Sequence, residues 1–304
     1  KRFFSMNSIS SNKSSHLHGD LIVPGDKSIS HRSLIIGSLV NGRIEINNLL
    51  ESEDVIATSN ALRMLGVQIN KLNDKWEVFG SGIGNFFGSN YTLNMGNSGT
   101  GARLLMGLIA GSDVEATFVG DESLSKRPMK RITLPLKKTG AIIEGQTNTL
   151  PIKIKGSKIV LPIEYESSVS SAQVKSSILL AGLSSLGKTT FIEPSLSRDH
   201  TERMLNFFGA NITTCQLDNM SWKITLEGVP DLNPLNLNIP ADPSSASFPI
   251  VSAIITPNSK IKVVNVCVNE LRIGLYKTLI EMGANIHFSN KRKINGELVA
   301  DISA

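Results

Sequence analysis

The sequence predicts an α/β protein assembled from a repeated βαβαββ unit, and three observations carry that prediction. The first is a helix start that recurs four times, at Lys27-Ser28-Ile29-Ser30, Ser98-Gly99-Thr100-Gly101, Ser171-Ala172-Gln173-Val174 and Ser244-Ser245-Ala246-Ser247. The leading serines, 28, 98, 171 and 244, stand 70, 73 and 73 residues apart, and each leads into apolar and small residues. The second is an amphipathic stretch later in each period that ends at a glycine, at 66, 140, 209 and 283, spaced by 74, 69 and 74. Glycine suits the left-handed backbone just past a helix end, where a Cβ is penalised. The third is a contrast between the two helices of each period. The first is apolar nearly all round (Leu34-Ile35-Ile36, Leu104-Leu105-Met106, Ile178-Leu179-Leu180, Ile250-Val251), while the second carries charges such as Arg63, Lys137, Glu202 and Lys277 on one face. The first helix is therefore expected inside and the second outside.

In the first unit this pattern predicts a strand at 21–23, a buried helix at 28–39, a strand at 43–46, an outer helix at 54–65 and strands at 67–69 and 76–79. A helix buried on all sides needs sheet around it, so the sheets lie outside and the parallel helices inside. Three units make a globe over residues 21–238, and a fourth, over 239–304, starts a second globe as one unit of three. Residues 1–20, rich in Ser and Asn, read as a flexible N-terminus and the first strand region of that second globe. A globe with one unit of three is incomplete, so the count predicts a piece of a longer protein.

Composition narrows the function. The 304 residues are 40% apolar and 19% charged, which excludes a mainly disordered chain and leaves room for two domains. The formal charge of +5 is mild and spread out, which points to small anionic ligands rather than to nucleic acid or a membrane surface. Cys215 and Cys267 have no Cys or His neighbours at metal-ligand spacing and read as two reduced thiols of a cytoplasmic protein without a metal site. No apolar run approaches the ~18 residues of a membrane span.

A helix N-terminus offers unpaired N–H groups and a partial positive charge, so several aimed at one cleft form an anion trap. Pro24 to Arg32 places Lys27, Ser28 and Arg32 at such a start, where they suit a phosphorylated or carboxylated ligand, or equally a plain capped helix with solvated cations. Asn97 to Arg103 has small residues that let an anion reach the backbone, although close helix packing explains them as well. Arg127, just before Pro128, can grip a phosphate or carboxylate; a surface pair with Asp121 is the alternative. Gln173 opens an otherwise apolar helix and is expected to make an orienting hydrogen bond. His200 reads as structural rather than as a general base, and Asp242 as a cap rather than a catalyst.

Taken together, Pro24–Arg32, Asn97–Arg103, Gly120–Met129, Ser171–Leu183, Ser197–Glu202 and Asp242–Pro249 resemble, in order, the family of 5-enolpyruvylshikimate-3-phosphate synthases, the enolpyruvyl transferases of the shikimate pathway. The resemblance runs from about Leu21 to Asp301 and implies the two-globe enolpyruvyl transferase-like fold, an inside-out α/β barrel with its active site between the globes. It implies transfer of the enolpyruvyl group of phosphoenolpyruvate to the 5-hydroxyl of shikimate 3-phosphate, without metal or organic cofactor, in aromatic amino-acid biosynthesis. On matching positions, Lys27 would touch both substrates and take part in proton transfer. Ser28, Arg32, Ser171, Ala172, Gln173, Ser197 and Arg198 would hold shikimate 3-phosphate. Gly99 and Arg127, with Lys27 and Gln173, would hold phosphoenolpyruvate. Gly99 also matches the glycine at which alanine is associated with glyphosate tolerance, so a glyphosate-sensitive site is implied.

The family's later segments, which supply a catalytic Asp, a Lys-Glu pair, further arginines and a second lysine, have no match in the 304 residues. Substrate contacts without turnover are therefore expected of this chain, and a monomer is expected of the whole protein. The rival within the fold, the UDP-N-acetylglucosamine enolpyruvyl transferases, uses a cysteine in a mobile loop, and neither Cys215 nor Cys267 sits in such a motif. A non-catalytic anion-binding protein on the same repeat is the rival from another class.

Overall fold

A computed structural model describes Ser10, residues 12–145 and residues 148–304; residues 1–9 and 11, part of the segment expected to be mobile, lie outside these. The first unit runs β1 (His18–Leu21), α1 (Lys27–Gly37), β2 (Asn41–Asn47), α2 (Glu53–Met64), β3 (Gln68–Leu72) and β4 (Lys75–Ser81). The second runs β5 (Phe87–Asn94), α3 (Gly99–Ala110), β6 (Asp113–Val119), the short α4 (Glu122–Ser125), α5 (Lys130–Lys138), β7 (Ile142–Glu144) and β8 (Ile152–Lys155). The third runs β9 (Glu164–Glu166), α6 (Ala172–Gly182), β10 (Lys188–Glu193), α7 (His200–Phe207), β11 (Ile212–Gln216) and β12 (Trp222–Glu227). The fourth runs β13 (Leu237–Asn238), α8 (Pro243–Ile255), β14 (Lys260–Cys267), α9 (Gly274–Glu281), β15 (His287–Ile294) and β16 (Glu297–Ser303).

The local signals at the helix ends act as the sequence predicts, with one shift. Gly66, Gly140, Gly209 and Gly283 adopt φ of +92°, +97°, +101° and +95°, the left-handed conformation that closes a helix. Ser98 caps α3 by accepting from Gly101 N, and Ser171 caps α6 by accepting from Val174 N. At α1 and α8 the cap is the aspartate two residues before the leading serine, as the reading of Asp242 expects at α8. Asp26 accepts from Ile29 N and Asp242 from Ser244 N, so both helices start earlier than predicted. Asp26 and Asp242 occupy the cap positions themselves, which leaves Ser28 and Ser244 in the first turn. The caps at 26, 98, 171 and 242 are 72, 73 and 71 residues apart, a more even period than that of the serines.

Four four-stranded sheets follow one plan, in the orders β13-β2-β4-β3, β5-β6-β8-β7, β9-β10-β12-β11 and β1-β14-β16-β15. In the second and third units, the strand before the inner helix lies parallel beside the strand after it. In the other two units the leading strands are exchanged. β13 pairs with β2 through Leu237 and Ile46, and β1 pairs with β14 through His18 and Lys260. The strand expected at 21–23 beside the first unit's sheet therefore stands at 18–21 in the fourth unit's sheet.

The exchange makes the chain cross twice between two hydrophobic cores. One core joins Leu34, Ile36, Leu104, Leu105, Ile178 and Leu180 across the first three units, and the other joins Ala246, Ile250, Val263, Tyr276 and Ile302. Within the first, α3 packs against both α1 and α6. Its approach to α6 is so close that a Cβ on Gly107 would lie 2.2 Å from Ser177 O. The expected interior position of α8 is not what the structure shows: Phe248 and Ile255 are 76% and 74% exposed. α8 lies on β14, but among the described residues no inner helix covers its far side as α1 and α6 cover α3. No described helix is long and apolar enough to cross a membrane.

The two crossings run antiparallel to each other. Asp26 N donates to Pro240 O at 2.8 Å and Asp242 N to Pro24 O at 2.9 Å, around a Gly25–Ala241 bridge. They deliver the starts of α1 and α8 to one place.

Candidate active site

Five of the sequence-predicted residues, Ser171, Ala172, Gln173, Ser197 and Arg198, line one open pocket of about 470 Å³ at the N-terminus of α6. Leu271, from the loop that leads into α9, closes one side of it. A larger cavity, about 740 Å³, opens beside residues 47–52, but Lys75 shares it with Glu51 and Asp74, so its charge suits an anion less well.

The N-terminus of α1 supplies the next group. Lys27 follows the Asp26 cap, half-exposed, with its Nζ in an ion pair with Asp54 of α2. Ser28 Oγ faces Arg198 Nη1 at 3.5 Å, which brings the start of α1 to the pocket. Arg32, one turn in, is buried and donates Nε to Thr201 Oγ1, Nη1 to Ser28 O and Nη2 to Ser176 Oγ, at 2.7, 2.9 and 2.8 Å. Burial pulls its pKa down to about 10, against the opposing pull of Glu202. Arg198 is also lowered, by burial and then by Arg272 nearby.

Gly99 and Arg127 form the third group, tied to the pocket by Gln173. Gln173 Nε2 donates to Thr100 Oγ1 at 2.9 Å while its Oε1 accepts from Arg103 Nη1 at 3.1 Å, so its amide ties α6 to α3. Arg127 donates to Asn97 Oδ1 and, at 3.3 Å, to Ser123 Oγ. A Cβ on Gly99 would lie 2.9 Å from Arg103 Nη1 and 3.0 Å from Arg127 Nη1, so both guanidinium groups converge on this glycine. Gly101 differs: its Cβ would meet Thr58 Oγ1 at 2.4 Å and Ser98 Oγ at 2.7 Å, which makes it a packing glycine. Of the two readings that the sequence leaves open for this loop, close packing describes Gly101.

Several participants escape sequence reasoning. Asp54 and Arg103 are two; burial, then Arg131 and Arg127, lowers the pKa of Arg103. Lys175 is a third, fully buried, with Nζ at 2.9 Å from Glu193 Oε1, 2.7 Å from Glu202 Oε1 and 3.1 Å from Ser197 O. The same Glu193 oxygen accepts from Ser197 N and Oγ at 2.9 and 3.0 Å, so the buried pair holds the Ser197 turn. A lone lysine inside an apolar helix was the available signal. Burial raises the pKa of Glu202 despite Lys175.

His200 and Asp242 take the structural parts expected of them. Asp242 is the α8 cap. His200 is buried, its Nδ1 at 2.6 Å from Glu297 Oε1 and its Nε2 at 3.3 Å from Arg272 Nη1. A guanidinium only donates, so Nε2 accepts and the ring proton lies on Nδ1. Neither nitrogen is left to act as a base. Arg272 also grips Asp26 and Asp242. Burial works against its charge, but the two carboxylates outweigh burial and hold its pKa above the usual value. Both cysteines are free, Cys215 exposed and Cys267 buried.

The profile of EPSP synthase (3-phosphoshikimate 1-carboxyvinyltransferase) matches residues 11–303. A 3-phosphoshikimate 1-carboxyvinyltransferase of Parvibaculum lavamentivorans is 48% identical over 300 residues, covering 98% of this chain and 66% of the relative. One from Rhodopseudomonas palustris is 50% identical over 291 residues, covering 95% and 65%. The solved EPSP synthase from Acinetobacter baumannii superposes with a TM-score of 0.86 at 41% identity, over 95% of this chain and 65% of that one. The chain thus spans about two thirds of the length of the relatives it matches. With six motifs in order, four units on one plan and these likenesses, the chain belongs to the EPSP synthase family.

Proposed function

We propose that this chain forms the anion-binding half of an enzyme that transfers the enolpyruvyl group of phosphoenolpyruvate to the 5-hydroxyl of shikimate 3-phosphate. The observation that carries the reading is the linkage of three helix starts: Arg103 and Arg127 converge on Gly99 at α3, Gln173 ties α3 to α6, and Arg198 beside the α6 pocket reaches Ser28 at α1. Fixed cations and helix N-termini suit a site for two anionic substrates.

In this reading, Ser171, Ala172, Gln173, Ser197 and Arg198 hold shikimate 3-phosphate, with Ser28 and Arg32 shaping its near side. Phosphoenolpyruvate lies over Gly99 between Arg103 and Arg127, and Gln173 contacts both. A proton is added to the methylene carbon of phosphoenolpyruvate, which makes C2 electrophilic. The 5-hydroxyl then adds to C2 and gives up its proton. Loss of a proton from the new methyl group and departure of phosphate restore the double bond. In this reading Lys27, paired with Asp54, donates or accepts one of these protons. The reaction needs no metal, organic cofactor, nucleic acid or membrane, and the reading places the protein in the cytoplasm.

Calorimetric titration of the chain with shikimate 3-phosphate tests the reading. Binding is expected, and a loss of about tenfold or more in each of Lys27→Ala and Arg32→Ala. Undiminished affinity in both variants removes the site assignment.

A further inference from the structure

Arg272 stands on the loop between β14 and α9, in the part of the molecule built on the second core. Its side chain is 9% exposed. Nη1 donates to Asp26 Oδ2 at 2.7 Å, and Nη2 to Asp242 Oδ1 at 3.1 Å and Ser244 Oγ at 3.2 Å. These two aspartates are the caps of α1 and α8, and they sit where the chain makes its two crossings. One planar fork therefore holds both helix starts, an arrangement that an ammonium on a flexible stem does not reproduce.

The clamp is anchored from several sides. Nη1 also lies 3.3 Å from His200 Nε2, and His200 donates to Glu297 of β16. Asn269 Nδ2 donates to Asp199 Oδ1 at 2.7 Å and to Glu297 Oε2 at 3.2 Å, which ties the same loop to the start of α7. The residues on either side of these anchors belong to the substrate site. Lys27 and Ser28 follow Asp26, the Lys27 backbone N donates to Asp242 Oδ2 at 3.3 Å, and Arg198 precedes Asp199.

We propose that Arg272 is a positioning residue for the anion site: by clamping the caps of α1 and α8 it sets Lys27 and Ser28 against Arg198. It acts through the two aspartates and not on the ligand, since its Nη donors are already taken by Asp26, Asp242, Ser244 and His200. The affinity of a site on the first core then depends on a residue of the second. As a statement about affinity, the inference rests on the shikimate 3-phosphate reading above.

Arg272→Lys keeps the charge and loses the fork, and Arg272→Ala removes both. Shikimate 3-phosphate affinity by calorimetry, and amide hydrogen exchange without ligand, are measured on the whole 304-residue chain at a temperature where each variant is folded. Arg272→Lys is expected to weaken binding about tenfold, with faster exchange at Ile29 and Ser244, the amides on the aspartate caps, and unchanged exchange at Gly101 and Val174, the amides on the serine caps. A merely stabilising arginine lowers the melting temperature without that pattern. Should Arg272→Ala fail to fold, Arg272→Lys decides.

Wild-type affinity retained by Arg272→Lys overturns the proposal. So does a loss in the Asp242→Asn and Arg272→Lys double variant equal to the two single losses added together, because members of one clamp are not additive. If the wild-type chain takes up no shikimate 3-phosphate, the functional reading falls while the exchange pattern still decides the clamp. Unchanged exchange at Ile29 and Ser244 then overturns it.

Discussion

The first helices of the four units, α1, α3, α6 and α8, start in two different ways. α3 and α6 are capped by serine, stay within one core and follow strands that remain in their own sheets. α1 and α8 are capped by aspartate, stand at the chain crossings and share Arg272. The same repeat thus serves two purposes. A neutral serine satisfies one terminal N–H and leaves the positive helix end open to a ligand. An aspartate neutralises that end but gives an arginine something to hold. At α1, in the function proposed, the lost attraction for an anion is restored by side chains, Lys27 beside Ser28 and Arg198.

If this division is right, the two kinds of cap differ most in what their loss costs. Asp26→Ala removes a cap and leaves buried Arg272 without its 2.7 Å partner, a loss expected to be about 3 kcal/mol or more. Ser98→Ala removes only a cap, at about 1 kcal/mol. Urea unfolding of the two variants makes the comparison, and equal costs would break it.

The aspartate-capped side is also expected to be the acid-sensitive one. His31 on α1 is fully buried between helices, with Nδ1 at 2.8 Å from Thr58 Oγ1; burial, then Arg32, pushes its pKa from 6.5 down to about 3. The unfolded chain therefore takes up this proton first. The contribution of neutral His31 is complete above about pH 6.5 and is lost as the pH falls toward 3, at about 1.4 kcal/mol per pH unit. Neither α3 nor α6 contains a histidine. Between pH 6 and pH 4, unfolding curves of the wild type should therefore fall by roughly 2–3 kcal/mol more than those of His31→Gln. Parallel losses in the two proteins would refute the assignment.

How much of this comparison can be read in the sequence depends on how local each signal is. The glycine stops and the serine caps at 98 and 171 are decided within a few residues, and the chain displays them directly. The aspartate caps are equally local, and Asp242 reads as one directly, but a serine-based period obscures Asp26, because Ser28 and Ser244 keep nearly the same spacing. The strand exchange is only partly legible: residues 1–20 read as the first strand region of the second globe, while 21–23 read as a strand of the first unit. β1 is His-Gly-Asp-Leu, exposed at every position, so no apolar alternation says which sheet it joins. Arg272 reaches Asp26 across 246 residues, and Glu297 reaches His200 across 97, so their partners exist only once the chain has folded. The exposure of α8 shows the converse limit. Phe248 and Ile255 record the apolar surface a helix carries, and composition does not reveal whether anything lies on it.

Inside the serine-capped pair, Gly99 and Gly101 separate ligand approach from packing. Gly101→Ala drives a methyl group into Thr58 and Ser98 and is expected to cost about 1–3 kcal/mol by overpacking. Gly99→Ala meets only the tips of Arg103 and Arg127, which can swing aside, so stability should hold while phosphoenolpyruvate affinity falls about tenfold. Thermal melts and a fluorescence or calorimetric titration separate the two effects. A Gly99→Ala protein that binds normally but melts early would reverse the assignment.

The smallest expected change in stability tests the division itself. Ser171→Asp converts the open kind of helix start into the occupied kind at the edge of the 470 Å³ pocket. Aspartate caps about as well as serine, and Ser171 is not fully buried, so unfolding should change by no more than about 0.5 kcal/mol. The new carboxylate nonetheless stands at the pocket assigned to the anionic shikimate 3-phosphate and cancels part of the positive end of α6. Affinity should fall at least tenfold at low salt and recover in part as salt screens the repulsion. If the variant binds as the wild type does, the α6 terminus contributes no field to the ligand. Serine would then be only a cap there, and the two pairs of helix starts would differ in architecture and not in function.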